Sequence, residues 1–225
     1  MLFYRKDIFE ELGIEVPSTW DEFYAMVPVI QKNSMEIGIP PESQTMFETL
    51  LFQRGGRFYA EDRKSTEFDK PEALEAFKEW TGFYTKYSFP IQFDFYNRFR
   101  TGEMPVGIMP YTTYNLLAVG APELRNLWGM APIPGTPRAD GTINRRGSSN
   151  GTGSILLRDA EDPEAAFSFI EWWTSAEVQA RFGLEQEALM GPAARYNTAN
   201  IEAFGMLPWS KEEYDMLMEQ WKDVW

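Results

Sequence analysis

The sequence predicts a mixed α/β protein in which helices outnumber short strands. Many segments place apolar residues three and four positions apart, which is the spacing of one helix face. A few short apolar runs are bounded by Gly and Pro, as buried strands are. Of the 225 residues, 44% are apolar, and this suits one large domain or two small ones.

Helix start and stop signals are clear in the first third of the chain. Ile8, Phe9 and Leu12 form one face of a short helix, and Gly13 is a typical stop. Thr19 with Glu22 three residues later predicts a capping box. Another helix is expected over about 45–53.

The middle of the chain combines one long helix with two strands. The helix that opens at Pro71 is expected to turn Leu74 and Phe77 toward the core. Residues 104–109 and 127–131 have the pattern of buried strands. The stretch 135–153 is rich in Gly, Ser, Thr, Asn and Arg, and is therefore the best internal boundary.

A strand and three helices are predicted for the rest. The strand is 154–157, and Asp162 caps the helix that follows it. The next helix is expected to run from Thr174 to Gly183, and the last one to begin at Ser210, with Glu213 completing a capping box. The inner face of the helix after Asp162 is predicted to consist of Ala166, Phe169, Ile170 and Trp173.

Composition excludes several function classes. Without His and Cys there is no imidazole base, no thiolate nucleophile, no disulfide, and no metal site built from those ligands. The net charge of −13 argues against nucleic acid and anionic membranes as partners. No apolar run reaches the ~18 residues of a membrane-spanning helix, and Met1–Asp7 does not have the pattern of a signal peptide.

Two motifs have a chemical and a structural interpretation. Adjacent carboxylates could perform acid–base catalysis. These pairs, however, lie at helix starts and on exposed faces, which favours solvated side chains without a catalytic role. The run 147–153 lacks the ending of a phosphate-binding loop, and a strand follows its glycines instead of preceding them, so a flexible crossover is favoured over a nucleotide site. The carboxylate pairs are Glu10-Glu11, Asp21-Glu22 and Glu212-Glu213.

Three aromatic residues stand apart from the predicted helix faces. Tyr111, Tyr114 and Trp209 follow or flank prolines at the ends of elements. Aromatic rings at such positions either pack in the core or stack on flat ligands and sugar faces. Both interpretations remain open from composition alone.

Several segments together resemble the extracellular solute-binding proteins of bacterial ABC importers, in the sugar-type group that includes maltose-binding protein. Each segment alone is weak evidence, but the segments occur in the family's order and are spread over nearly the whole chain. Arg5 stands where Asn is common in the family, and Tyr111 replaces the usual Trp. The similar segments are Leu2–Phe9 with Gly13-Ile14 and Pro17–Phe23, Phe99–Met104 with Met109–Tyr111, Trp128–Gly135, and Glu164–Ser175.

The resemblance implies a periplasmic-binding-protein-like fold of type II. Residues 1–145 would be the first segment of the C-terminal, ligand-binding lobe, a helix-rich lobe with a small sheet. Residues 146–190 would be an excursion into the N-terminal lobe, a strand and two helices, and 191–225 would return to the C-terminal lobe. Most of the N-terminal lobe, the signal peptide and the lipid-anchor Cys are expected to lie outside this sequence, which leaves strand 154–157 without its usual sheet partners.

The resemblance also implies capture of a solute rather than catalysis. The expected protein is extracellular, on the cell surface or in the periplasm, and reaches the membrane only through its lipid anchor. It would close two lobes about a hinge on a sugar or oligosaccharide and deliver it to the permease subunits of an ABC importer, with no cofactor or metal. Two alternatives are a carbohydrate-active hydrolase with paired carboxylates and a helical scaffold domain.

Six residues are predicted to contact the ligand. Tyr111 takes the family's stacking position, and Trp209 is a second stacking candidate. Arg195 could present its planar guanidinium to a ligand or form a salt bridge, and both roles are left open. The remaining candidates are Tyr114, Gln44 and Asn150.

Overall fold

The computed structural model describes residues 1–41, 44–149 and 151–224, without the side chain of Gln44. The chain divides into two compact units. Unit 1 comprises Met1–Tyr111, Glu123–Ser149 and Asp215–Trp225, and unit 2 comprises Thr112–Pro122 and Asn150–Tyr214. The architecture is the helix-rich α/β type that the sequence predicts. No helix of the described residues is long and apolar enough to cross a bilayer.

A small sheet organises unit 1. Its strands are β1 (Leu2–Arg5), β2 (Ile37–Gly38), β3 (Val106–Ile108) and β4 (Trp128–Ala131), in the order β2-β3-β1-β4. β1 runs antiparallel to β3 and β4, whereas β2 runs parallel to β3. β3 and β4 confirm the two strands predicted for the middle of the chain. A separate antiparallel ribbon joins β5 (Thr136–Pro137) to β6 (Ile143–Asn144).

Five helices of unit 1 alternate with these strands along the described chain, and several of their ends follow the predicted signals. Gly13 ends the first helix in the left-handed conformation, with φ of 64°. The hydroxyl of Thr19 accepts from the backbone N–H of Glu22, whose carboxylate accepts from the N–H of Thr19, so the predicted capping box is confirmed. The helices are α1 (Lys6–Leu12), α2 (Trp20–Lys32), α3 (Gln44–Gln53), α4 (Pro71–Thr85) and α5 (Phe95–Thr101).

The buried face of α4 differs from the prediction. Ala73, Ala76 and Phe83 are buried, whereas Leu74 and Phe77 are half exposed. Two alanines three residues apart let α3 and α4 approach closely, so the small side chains face the core and the large ones are displaced. The displaced side chains line an open apolar groove of about 640 Å³ together with Pro41, Phe47, Phe68, Ala73 and Trp80.

Arg5, which stands where the family pattern has Asn, is buried and donates several hydrogen bonds. Its guanidinium donates to the carbonyls of Phe99 and Arg100 in the last turn of α5, at 3.0 and 3.2 Å, and to the carboxylate of Asp7. Carbonyls in the last turn of a helix lack partners within the helix, and a cation there also complements the helix dipole. Arg5 therefore ties β1 to the end of α5.

Unit 2 is helical. Its elements are α6 (Thr113–Gly120), α7 (Pro163–Thr174), α8 (Ala176–Met190) and α9 (Ile201–Met206), and the last helix, α10 (Lys211–Trp221), begins here and continues into unit 1. Asp162 caps α7 by accepting from the N–H of Ala165, as predicted. The Ser210–Glu213 capping box of α10 is also present.

Two predictions for unit 2 are wrong. Residues 154–157 do not form a strand. The helix expected to end at Gly183 starts after Ser175 instead and continues to Met190. A Cβ at position 183 would lie 2.8 Å from the side chain of Leu207, so Gly183 permits close packing inside a helix rather than ending it.

Candidate functional site

Unit 2 brings together three of the six predicted ligand residues. The ring centroids of Tyr114, on α6, and Trp209, between α9 and α10, lie 5.1 Å apart. The Arg195 guanidinium carbon lies 4.5 Å from the centroid of Trp209 and 5.6 Å from that of Tyr114. A planar cation over two aromatic rings is a stable cation–π arrangement. These three residues and Glu187 are called the Arg195 cluster below.

The local backbone places Arg195 in this cluster. α8 ends at Gly191, whose φ of 85° favours glycine, and the 3₁₀ turn Pro192–Ala194 follows. The side-chain amide of Asn115, on α6, donates to the carbonyl of Arg195 at 3.2 Å. Trp209 follows Pro208 and also packs on Phe204 of α9, with centroids 5.1 Å apart.

Arg195 forms a bidentate ion pair with Glu187 of α8. Its Nε and Nη2 donate to the two carboxylate oxygens, each at 2.9 Å, and the two side chains are only 8% and 13% exposed. Burial alone would lower the pKa of Arg195, but the Glu187 carboxylate more than offsets this and raises it. Arg195 therefore takes part in an ion pair buried within unit 2, and its contact with a ligand stays a prediction.

Two carboxylates that the sequence offered for catalysis have structural partners. Glu213 accepts from the Tyr114 hydroxyl at 2.5 Å and from the N–H of Ser210 at 2.9 Å. Burial, and next the Glu213 carboxylate, raise the pKa of Tyr114 to about 12. Glu22 accepts from the N–H groups of Ser18 and Thr19. These contacts agree with the structural interpretation of both carboxylates.

The Arg195 cluster has unused donors and little positive charge to offer. Trp209 Nε1 and Arg195 Nη1 are buried and have no hydrogen-bond partner among the described residues. The carboxylate of Glu187, together with that of Glu213, which accepts from the Tyr114 hydroxyl beside the cluster, outweighs the single guanidinium. The cluster therefore suits a neutral hydrogen-bond acceptor, such as a hydroxyl, better than an anion. Glu187 is not recognisable from the sequence, because it lies eight positions before Arg195 with a Gly-Pro break between them.

The other candidates lie outside this cluster. Tyr111 belongs to unit 1, follows β3, and is half-buried, and burial raises its pKa to about 12. Gln44 begins α3, but its side chain lies outside the described residues. Asn150 also lies outside them. For these three residues a role in ligand binding stays a prediction.

Comparison with known proteins gives one family. The family model described as bacterial extracellular solute-binding protein matches residues 1–180. No curated protein sequence matches the chain.

Solved structures of this type resemble the whole chain. MalE from Xanthomonas citri, described as a sugar-binding protein, has a TM-score of 0.74 and 20% identity, over 100% of this chain and 56% of its own. An ABC transporter solute-binding protein from Thermotoga lettingae, bound with alpha-D-tagatose, has a TM-score of 0.72 and 20% identity, and the match covers 100% of this chain and 58% of that protein. UgpB from Mycobacterium tuberculosis, in complex with glycerophosphocholine, has a TM-score of 0.67 and 16% identity, and the match covers 100% of this chain and 56% of UgpB. The chain thus spans less than three fifths of the length of these three structures.

Proposed function

The chain belongs to the bacterial extracellular solute-binding protein family, and on this premise we propose that it is part of a carbohydrate receptor of an ABC importer. The family match over residues 1–180 is the observation that carries the proposal. The sugar-binding protein from Xanthomonas citri and the tagatose complex from Thermotoga lettingae support carbohydrate as the ligand class. The receptor would act outside the cytoplasmic membrane.

The chemistry of the candidate residues suits a neutral sugar. The C–H faces of a sugar ring stack on aromatic side chains, and Tyr111 and Trp209 are half-buried rather than fully enclosed. Sugar hydroxyls would accept from Trp209 Nε1 and Arg195 Nη1, both buried and without a partner among the described residues, once a movement of the surrounding side chains exposes these donors. The acidic balance of the Arg195 cluster favours a neutral sugar over a uronate.

The proposed mechanism is capture followed by release to the permease. Two lobes would close about a hinge on the sugar, as periplasmic binding proteins do. A closed, loaded receptor would then be recognised by the permease subunits. No covalent chemistry is required, so the sugar would leave unchanged.

Calorimetry on the native protein that contains these 225 residues tests the proposal. Maltose, tagatose and glycerophosphocholine form the panel, and we expect saturable heat with at least one of the sugars. Trp209→Ala and Tyr111→Ala should each weaken binding about tenfold or more, since one lost contact in a site costs about 1–3 kcal/mol. Trp172→Ala, an exposed ring on α7, is the matched control.

Two results would count against the proposal. One is an affinity for sugar that neither Trp209→Ala nor Tyr111→Ala changes, and the other is heat with glycerophosphocholine alone. Overnight incubation with oligosaccharides, followed by product analysis, addresses the hydrolase alternative. A receptor returns the oligosaccharide intact, whereas a hydrolase gives shorter products.

A further inference from the structure

Glu187 occupies the edge of the Arg195 guanidinium that an anionic ligand would use. Arg presents its N–H donors in a fixed planar fork, and a carboxylate fits one edge of that fork through two parallel hydrogen bonds. In the Arg195 cluster this edge is formed by Nε and Nη2, which donate to the two carboxylate oxygens of Glu187 at 2.9 Å each. A ligand carboxylate or phosphate would therefore have to displace Glu187 from this edge or bind beside it.

The remaining part of the guanidinium suits a neutral acceptor. Its carbon lies 4.5 Å from the ring centroid of Trp209 and 5.6 Å from that of Tyr114, so both rings pack against the planar cation. Nη1 is buried and has no hydrogen-bond partner among the described residues. A ligand hydroxyl can accept from this nitrogen without adding charge, whereas a ligand carboxylate would bring a second negative charge to a cation that Glu187 already balances.

Neither of the two routes is favourable for an anion. Displacing Glu187 would leave its carboxylate, only 13% exposed, without a counter-charge, and an unpaired buried charge is strongly destabilising. Binding beside Glu187 would place a third carboxylate close to those of Glu187 and Glu213, since Glu213 accepts from the hydroxyl of Tyr114. A neutral sugar avoids both of these costs.

The helix that carries Glu187 holds this residue in place whether or not a ligand is bound. Glu187 lies inside α8, which continues to Met190, so its backbone is fixed by the helix. Arg195 instead follows the 3₁₀ turn Pro192–Ala194, outside the helix. Glu187 can therefore orient the guanidinium of Arg195 before a solute arrives, and such preorganisation lowers the cost of binding.

We propose that Glu187 is a positioning residue that makes the solute site selective for neutral ligands. It balances the charge of Arg195 and fixes the guanidinium, and Nη1 then donates to a ligand hydroxyl once the surrounding side chains move to expose it. Glu187 itself does not touch the solute, but it determines which ligands the receptor rejects. The inference rests on the proposed function, because it requires that the Arg195 cluster contacts the solute.

Matched pairs of neutral and acidic sugars test the selectivity by calorimetry on the native protein that contains these 225 residues. The pairs are D-glucose with D-glucuronate and D-galactose with D-galacturonate, and we expect the native protein to prefer the neutral member of each. Glu187→Gln should raise the affinity for the uronate relative to its neutral partner about tenfold or more, because it removes one like charge. Glu187→Asp retains the carboxylate and should keep the native preference. Glu185→Gln, which changes an exposed carboxylate of the same helix, is the matched control.

The ratio of the two affinities separates positioning from a purely structural role. Loss of structure in Glu187→Gln would weaken both members of a pair alike, so an unchanged ratio would overturn the inference. A native protein that prefers the uronates would overturn it as well. If the native protein binds none of these neutral sugars, nor maltose or tagatose, the carbohydrate proposal fails, whereas uronate binding gained by Glu187→Gln would still support the role of Glu187.

A second measurement covers a Glu187→Gln variant that is unfolded on its own. A ligand that binds only the native state stabilises that state, so a uronate, but not its neutral partner, should refold the variant. Circular dichroism at increasing ligand concentration measures the refolding. Failure of both uronates to refold the variant would overturn the inference.

Discussion

Removing the charge of Glu187 should destabilise unit 2 far more than the same change at an exposed position of α8 would. Glu187→Gln keeps the size of the side chain but leaves the Arg195 guanidinium, 8% exposed, without its counter-charge. Breaking a buried ion pair in this way costs about 3–5 kcal/mol. For a chain of this length, that lowers the melting temperature by roughly 6–20 °C. Urea denaturation followed by circular dichroism measures the loss, and hydrogen exchange of α8 and α9 locates it.

The same helix provides the control. Arg181 and Glu185 also form an ion pair on α8, with N–O distance 2.8 Å, but their side chains are 78% and 62% exposed. Glu185→Gln should therefore change the free energy of unfolding much less than Glu187→Gln does, because solvent screens an exposed pair. If Glu187→Gln does not fold, the double variant Glu187→Leu with Arg195→Met should recover much of the stability, because apolar replacement removes both buried charges. Equal losses for Glu187→Gln and Glu185→Gln would refute the reasoning.

Three further predictions concern unit 1 and the tyrosines. Gln53→Leu should cost about 1–3 kcal/mol in urea denaturation, because it leaves Trp20 Nε1, now 2.7 Å from Gln53 Oε1, buried without an acceptor. Thr19→Ala should cost about 1 kcal/mol in the same assay through the lost cap. The free energy of unfolding should fall between about pH 10 and pH 12, because Tyr111 and Tyr114 ionise near 10 when unfolded and near 12 when folded. Stability that is constant across this pH range would contradict the burial of both rings.

Features decided by neighbouring residues were predictable from the sequence. The capping boxes at Thr19 and Ser210 and the stop at Gly13 need only residues within one helical turn. The strands β3 and β4 were also found, because short apolar runs between Gly and Pro have few other interpretations.

Features decided by packing partners were not predictable. Gly183 and Gly191 are both plausible helix stops in the sequence, yet the first packs against Leu207 inside α8, whereas the second, with a positive φ of 85°, ends that helix. The Arg195 cluster was found only in part for the same reason. Trp209 stands out because it directly follows Pro208, and Tyr114 because it lies shortly after Pro110. Glu187 is one of 34 acidic residues, and only the fold shows that it faces Arg195.

The predictions for α7 and for strand 154–157 both depend on packing partners. Of the inner face predicted for α7, Phe169 is exposed and Ala166, Ile170 and Trp173 are half-buried, and residues 154–157, predicted as a strand without its usual sheet partners, form no strand in the described chain. Burial of Phe169 and Trp172 is worth about 1.5–3 kcal/mol for each side chain, and leaving both exposed in the finished protein would forgo that stabilisation. By contrast, the misjudged face of α4 is explained within unit 1, because Ala73 and Ala76 already occupy the contact with α3. The error in α4 therefore comes from which side chains of that helix are buried, whereas α7 and 154–157 lack packing partners among the described residues.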